Sequence, residues 1–134
     1  MLELLIVITI MSILVLIIWS DLAAGPARAR DAQRKSDMRS IRNALETYYA
    51  DHNSYPSLVT SPTNVATSLA SLSPSYLKTI PDDPVPYRHY DYTCTNVSGS
   101  SCLGYKLEAQ LENAKDSQIT DPAFPNGFVM SSLN

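Results

Sequence analysis

A long apolar run near the start of the chain, interrupted by one carboxylate, limits what this protein can fold into. Residues 1–19 are apolar apart from Glu3, Thr9 and Ser12. As a helix this run would be about 28 Å long, close to the hydrocarbon thickness of a bilayer. We therefore expect residues 1–26 to form a hydrophobic helix segment that can span a membrane.

Glu3 needs an explanation because a carboxylate within such a helix costs a few kcal/mol. In one interpretation Glu3 lies in the headgroup layer, where a negative charge stabilises the positive end of the helix dipole. In the other it has a partner, and therefore a function. Its position alone leaves both interpretations open.

From residue 27 to about residue 53 the pattern becomes that of an amphipathic helix. Apolar side chains recur at helical spacing and define one buried stripe, at Met38, Ile41, Leu45 and Tyr48. The charged residues between them are expected to pair along the helix, for instance Asp31 with Arg34 or Lys35, and Glu46 with Arg42. Its basic side chains are predicted either to be solvated or to meet acidic neighbours.

Gly25 and Pro26 stand between the apolar run and the amphipathic helix. Since proline removes one backbone donor, we expect a kink or a short unwound hinge at this point. A helix that resumes directly would extend to about His52 and be about 78 Å long. That exceeds the width of the head that the remaining residues can form, so the first half must project and be covered by lipid or by other copies of the chain.

Residues 54–86 are predicted to be a connecting loop region that contains one short helix. Val65, Leu69 and Leu72 have helical spacing, and the preceding Thr63 and Asn64 can cap the helix that they would form. The region is rich in serine and threonine, so a disordered spacer is the alternative.

Between residues 87 and 134 the apolar period becomes two, which predicts a β-hairpin with one buried face. That face would carry Tyr90, Tyr92 and Cys94 on the first strand and Tyr105, Leu107, Ala109 and Leu111 on the second. Turn residues lie between them at 96–101, and a further short strand is expected at 127–131. The predicted fold class is therefore α+β, a long bent N-terminal α-helix packed on a small antiparallel β-sheet, with residues 27–134 as the head.

Cys94 and Cys102 flank the predicted turn, and two thiols are too few for a tetrahedral zinc site. The better interpretation is a local disulfide, which would place the head outside the cytoplasm. The basic residues between 28 and 42 argue for the opposite side by the positive-inside rule. A basic leader ahead of these residues would settle the conflict in favour of an external head.

No catalytic motif or cofactor-binding loop is apparent, so we expect neither enzyme activity nor a cofactor. The basic helix at 27–39 lacks the heptads of a DNA-binding zipper, and no specific nucleic acid is predicted as a partner. No metal motif is present either. Aspartates that could contribute oxygens to a calcium site, without the spacing of an EF-hand, are Asp82, Asp83, Asp91, Asp116 and Asp121.

Residues 2–8, LELLIVI, open a spanning helix that continues into an amphipathic one, and this resembles the start of type IV pilins and type II secretion pseudopilins. Residues 44–56 and 76–84 are similar to the major-pseudopilin-like branch and its pilin relatives. The resemblance implies that a prepilin peptidase removes a basic leader and that the new amino terminus is methylated. Glu3 matches the glutamate of the family, which implies a role in subunit assembly, and Met1 would then be the third residue of a typical mature subunit.

The resemblance also implies where the subunit resides and what it meets. Its partners would be the inner membrane before assembly, identical subunits in a homopolymeric filament, the pilus assembly machinery and minor pilins. The apolar helix would form the filament core, through Leu4, Leu5, Val7, Ile8, Met11, Leu14, Val15 and Ile18.

One departure bears on which member of the family this is. The residues after Asp83-Pro84 lack the tryptophan and glycine that are usual in secretion pseudopilins. We therefore predict the structural subunit of a type IV pilus, an extracellular filament that serves adhesion, motility or DNA uptake. The alternative is the major pseudopilin of a type II secretion system, which would be periplasmic. A monomeric membrane-anchored binding protein, in which Glu3 needs no partner, is the rival from another class.

Overall fold

One helix runs through more than a third of the chain. The computed structural model describes residues 2–56, 58–121, 124 and 126–133, and within its first helix it describes residues 17–24 by their backbone alone. Helix α1 extends over Leu2–His52. It ends where Asn53 adopts a positive φ of 55° while its N–H still donates to the carbonyl of Tyr49, a left-handed conformation that asparagine tolerates.

Gly25 and Pro26 are both helical, so no unwound segment separates the two halves of α1. A proline within a helix removes one hydrogen bond of the ladder, while the bonds of the flanking turns can persist. The continuous form of the long helix is therefore the one observed, and a bend at this point stays a prediction.

The head is a four-stranded antiparallel sheet packed on the second half of α1. The strands are β1 at Thr63–Asn64, β2 at Asp91–Ser98, β3 at Ser101–Gln110 and β4 at Gly127–Ser131, and they lie in that order across the sheet. The predicted α+β class, the hairpin and the last strand are confirmed. The hairpin turn is shorter than expected, because the strands continue to Ser98 and resume at Ser101 around Gly99, whose φ is 60°.

The region between helix and sheet contains the short helix that the sequence predicts. Helix α2 occupies Val65–Ser68, and the Asn64 side chain accepts a hydrogen bond from the N–H of Ala66 as its cap. A 3₁₀ turn at Ala70–Leu72 follows it. Strand β1 was not predicted, because two residues are too few for an alternating pattern to be visible.

The core lies between the predicted stripe of α1 and the predicted face of the hairpin. Met38, Ile41 and Leu45 are fully buried. Opposite them lie Tyr90, which directly precedes β2, and the buried side chains of the sheet, Tyr92, Cys94, Tyr105, Leu107 and Ala109.

Glu46 of α1 faces this core, where it accepts hydrogen bonds from the hydroxyls of Tyr55 at 3.1 Å and Tyr105 at 2.9 Å. Burial, followed by interaction with this carboxylate, raises the pKa of both tyrosines, so both remain protonated donors. The pairing of Glu46 with Arg42 expected from the sequence is not among the ion pairs of the described residues, and the Glu46 oxygens accept the two tyrosine hydroxyls instead.

The predicted disulfide joins Cys94 of β2 to Cys102 of β3, with the two Cα atoms 6.0 Å apart. Tyr55, which follows the end of α1, donates its N–H to the carbonyl of Cys102 at 2.8 Å. The disulfide therefore joins the two strands near the tip of the hairpin, and the Tyr55 hydrogen bond holds that tip next to the segment that leaves the helix.

A buried guanidinium fastens α1 to the other end of the sheet. The side chain of Arg34 has no solvent exposure, and its Nε and Nη2 atoms donate to the carboxylate of Asp83 at 2.7 and 2.9 Å. Its Nη1 atom donates to Asp31 at 2.7 Å and to Glu112 at 2.8 Å. Asp31 in turn accepts the backbone N–H groups of Glu112 and Asn113. The cluster therefore fixes two parts of the head to α1, the segment at Glu112 and the loop at Asp83.

Two further cations of α1 extend this junction. Arg30 binds Glu112 through two hydrogen bonds of 2.7 and 2.6 Å, and Lys35 binds Asp116 at 2.6 Å. These hydrogen bonds from Arg30, followed by those from Arg34, lower the pKa of Glu112 from its ordinary value of 4.5 to about 2. The expectation that the basic helix face meets acidic neighbours is confirmed, and so is the pairing of Asp31 with Arg34.

Opening the disulfide is expected to lower the free energy of unfolding of the full chain in detergent by about 2–3 kcal/mol, the loop-closure entropy of a short loop. Urea titrations with and without reductant measure this effect. The variant Cys94→Ala/Cys102→Ala serves as the control, because reductant should not change its stability further. Equal stability of the oxidised and reduced chains would contradict the prediction.

Glu112→Gln is expected to weaken the dependence of the free energy of unfolding on pH in the acidic range. A carboxyl group with a depressed folded-state pKa contributes stability that is present above its unfolded value and is lost as the pH falls through its folded value. The wild-type chain should therefore lose stability between about pH 5 and pH 2. The variant, already less stable at pH 7, should lose less over the same interval. Urea titrations at several pH values test this, and parallel losses in both chains would contradict it.

Candidate assembly surface

The start of α1 carries apolar side chains that the described residues of the chain leave uncovered. Every large apolar side chain from Leu2 to Leu16 is at least 50% exposed. Soluble monomers rarely expose a contiguous apolar area of more than a few hundred Å². This segment therefore requires a covering by something other than its own head.

The predicted filament-core positions belong to this exposed surface, but they do not form a separate face of it. Exposed side chains at the predicted positions are Leu4, Leu5, Val7, Ile8, Met11, Leu14 and Val15. The side chain of Ile18 lies outside the described residues. Leu2, Ile6, Ile10, Ile13 and Leu16 are exposed as well, so apolar groups surround the helix, and the role of the predicted subset stays a prediction.

The two hydroxyls of this segment are satisfied within the helix itself. Thr9 donates to the carbonyl of Ile6 and Ser12 to the carbonyl of Ile8, each at 2.7 Å. Glu3 is exposed, and it is the one charged side chain in residues 1–20. None of the described residues forms an ion pair with it. Among the described side chains up to Leu16, the segment thus presents one charge on an otherwise apolar surface.

Within the parts of the chain that the structure describes, no helix combines the length and hydropathy that crossing a bilayer requires. The predicted span includes residues 17–19, whose side chains lie outside those parts.

A shallow groove lies between the second half of α1 and the edge strand β4. We call it the arginine groove. It is lined by Arg39, Arg42, Asn43, Glu46, Thr47, Met130 and Leu133, and its one carboxylate, Glu46, accepts the hydroxyls of Tyr55 and Tyr105. Among the described residues, no carboxylate forms an ion pair with either arginine. This sets the pair apart from Arg30, Arg34 and Lys35 on the same helix, which are all bound to carboxylates of the head.

The five aspartates considered for calcium do not converge on one point. Asp83 binds Arg34, Asp116 binds Lys35, Asp91 lies 3.3 Å from His89, Asp121 lies 3.4 Å from Lys106, and Asp82 accepts the N–H of Asp83. The described residues include no group of three or more His, Cys, Asp or Glu side chains that could hold a metal ion. Sequence reasoning did not identify Asp83 and Asp116 as the partners of Arg34 and Lys35. The many basic residues in the second half of α1 were the signal that such acidic partners exist.

Comparison with known proteins gives a consistent result. The family model described as type II secretion system (T2SS), protein G matches residues 22–115. Type II secretion system core protein G of Aeromonas hydrophila is 31% identical over 91 residues, which cover 63% of this chain and 64% of that protein. The protein of the same name from Pectobacterium carotovorum subsp. carotovorum is 31% identical over 91 residues, covering 63% of this chain and 58% of that protein. No solved structure matches the chain.

The chain thus spans less than two thirds of the length of these relatives. The resemblance to pilins and pseudopilins is confirmed, and both comparisons favour the pseudopilin alternative over the type IV pilus. The missing tryptophan and glycine after Asp83-Pro84 concern one loop, and the family match over residues 22–115 outweighs them. Since that match covers more than half of the chain, this chain belongs to the type II secretion system protein G family.

Proposed function

We propose that this chain is the major pseudopilin of a type II secretion system, a structural subunit that polymerises into a helical filament. The observation that carries the proposal is the exposed apolar segment from Leu2 to Leu16, which belongs to the same continuous helix as the part that the head packs on. A rigid helix of this kind can place its apolar end in a filament core while its head stays in water.

The exposed side chains supply the cohesion of such a filament. Burying a large apolar side chain that was exposed to water contributes about 1.5–3 kcal/mol, and the segment from Leu2 to Leu16 contains twelve of them. Before assembly the inner membrane would cover the same surface, so the transfer would be from lipid to protein. Close packing of apolar helices would then drive association, as it does between helices within a bilayer.

Apolar packing alone does not define how far one helix is shifted along the next. A carboxylate in apolar surroundings does define this shift, because its attraction to an opposite charge is strong in a low dielectric and an unpaired charge is costly there. Glu3 would find its cation in the amino terminus of a neighbouring subunit. In this proposal Glu3 sets the register between copies.

The proposal implies an inner-membrane location before assembly and a periplasmic filament afterwards. Its partners would be identical subunits, the prepilin peptidase, the secretion assembly machinery and minor pseudopilins. The subunit would be neither an enzyme nor dependent on a cofactor. An extracellular type IV pilus is the second candidate, favoured by the loop after Asp83-Pro84, which lacks the usual tryptophan and glycine.

Glu3→Gln is expected to abolish or strongly slow filament assembly while leaving membrane insertion intact. The substitution removes the charge and keeps the size of the side chain, so only the ion pair with the neighbour is lost. Filaments are counted by electron microscopy in bacteria that express the chain with a type II secretion machinery, and insertion is measured by membrane fractionation.

Ser12→Ala is the matched control in the same segment, because the Ser12 hydroxyl is bonded to its own helix and needs no neighbour. Normal filaments from Glu3→Gln would refute the register role. A wild-type chain that inserts but stays monomeric would refute the proposed function and favour a membrane-anchored binding protein.

A further inference from the structure

We propose that the loop at residues 82–88, here called the tyrosine loop, inserts Tyr87 into the arginine groove of a second copy of this chain. This inference rests on the proposed function, because it assigns the contact between heads in the filament.

Tyr87 is 94% exposed, the highest exposure among the large apolar and aromatic side chains of the described residues. The other seven tyrosines of the chain are all at least partly buried. Tyrosine is one of the residues that most often dominate the energy of protein interfaces. A single tyrosine kept entirely outside a tyrosine-rich core therefore has the character of an interface anchor.

The tyrosine loop is held in one conformation. The Arg88 N–H donates to the Val85 carbonyl at 2.9 Å, which closes a turn with Pro86 and Tyr87 at its centre. At its base the Val85 N–H donates to Asp83, and Asp83 is bound to the buried Arg34. Because the loop is already ordered, little conformational entropy is lost when Tyr87 is buried at an interface.

The arginine groove offers chemistry that fits this loop. Met130 and Leu133 give it an apolar part, and the guanidinium groups of Arg39 and Arg42 can lie over an aromatic ring. Asp82, on the same loop as Tyr87, is exposed, and its one hydrogen bond among the described residues is to the N–H of Asp83. Arg39 and Arg42 outnumber the one carboxylate of the lining, Glu46, whose oxygens accept the hydroxyls of Tyr55 and Tyr105. The negative charge of Asp82 would complement this excess, which points to a copy of the chain as the occupant.

The tyrosine loop and the arginine groove lie at different positions along the axis of α1. Asp83 attaches the tyrosine loop at the level of Arg34, whereas the groove is centred near Asn43, about 13 Å further along the helix. The copy that donates Tyr87 must therefore be shifted along the helix axis relative to the copy that accepts it. Two different surfaces in contact with such a shift generate an open helical polymer and not a closed dimer.

Photocrosslinking in assembled filaments tests the inference on the full chain. Tyr87 is replaced by p-benzoylphenylalanine, which keeps an aromatic ring, and the same amino acid at Val97 is the control, since Val97 is exposed at the hairpin tip. Irradiation should give covalent dimers from the Tyr87 probe, with the attached peptide containing residues 39–47 or 130–133. The Val97 probe should not label those residues.

Substitutions measure how much the contact contributes. Tyr87→Ala should lower filament yield about tenfold, the loss expected for an interface anchor, while Tyr87→Phe should retain most of the yield because it keeps the ring. Arg42→Asp should also reduce the yield, and its combination with Asp82→Arg should restore part of it.

The possible outcomes separate this inference from the proposed function. If wild-type filaments form but the Tyr87 probe labels other residues, or if Tyr87→Ala assembles normally, the contact is refuted and the filament function stands. If the wild-type chain forms no filaments and no covalent dimers, both proposals are refuted together.

Discussion

The buried guanidinium of Arg34 is the interaction on which the arrangement of this protein depends. Its donors are divided among Asp31 on its own helix, Asp83 in the loop that precedes β2 and Glu112 after β3. Breaking a buried ion pair by removing one partner costs about 3–5 kcal/mol, because the remaining charge stays buried without compensation. Helix and head are therefore one mechanical unit, and the tyrosine loop takes its position from the same contact.

This junction marks where the head stops covering the helix. Beyond Arg30, which contacts Glu112, the chain continues toward its amino-terminal half, whose large apolar side chains up to Leu16 are exposed. The disulfide of Cys94 and Cys102 with Tyr55 holds the far end of the sheet next to the end of α1. With both ends of the head fixed to one helix, a force or a displacement applied to the helix is transmitted to the head.

The parts of the fold that the sequence predicts are those with a repeating signal. Met38, Ile41 and Leu45 repeat with the period of a helix, Tyr90, Tyr92 and Cys94 with that of a strand, and each set is buried as expected. The pairing of Arg34 with Asp83 has no such signal, since 49 residues separate the two side chains and only the folded loop brings them together. The exposure of Tyr87 and the proximity of Met130 to Arg42 also depend on the folded chain and could not be predicted. Glu3 could be identified, because it interrupts an apolar run.

In a filament, each subunit must take one axial shift and one rotation relative to its neighbour. The two proposed contacts constrain these two quantities at different distances from the filament axis. Apolar packing between helices is nearly indifferent to sliding, because a shift of one turn exchanges one leucine or isoleucine for another. A charge at Glu3 penalises every shift that leaves it unpaired in a low dielectric, but it lies at one end of a helix of 51 residues and constrains the distant heads weakly. A contact at Tyr87 lies in water, where its attraction is weaker. It also lies at the radius of the heads, where a small rotation of the subunit about the filament axis moves the contacting atoms a large distance. Register along the axis would therefore come from the helix end, and rotation about the axis from the tyrosine loop.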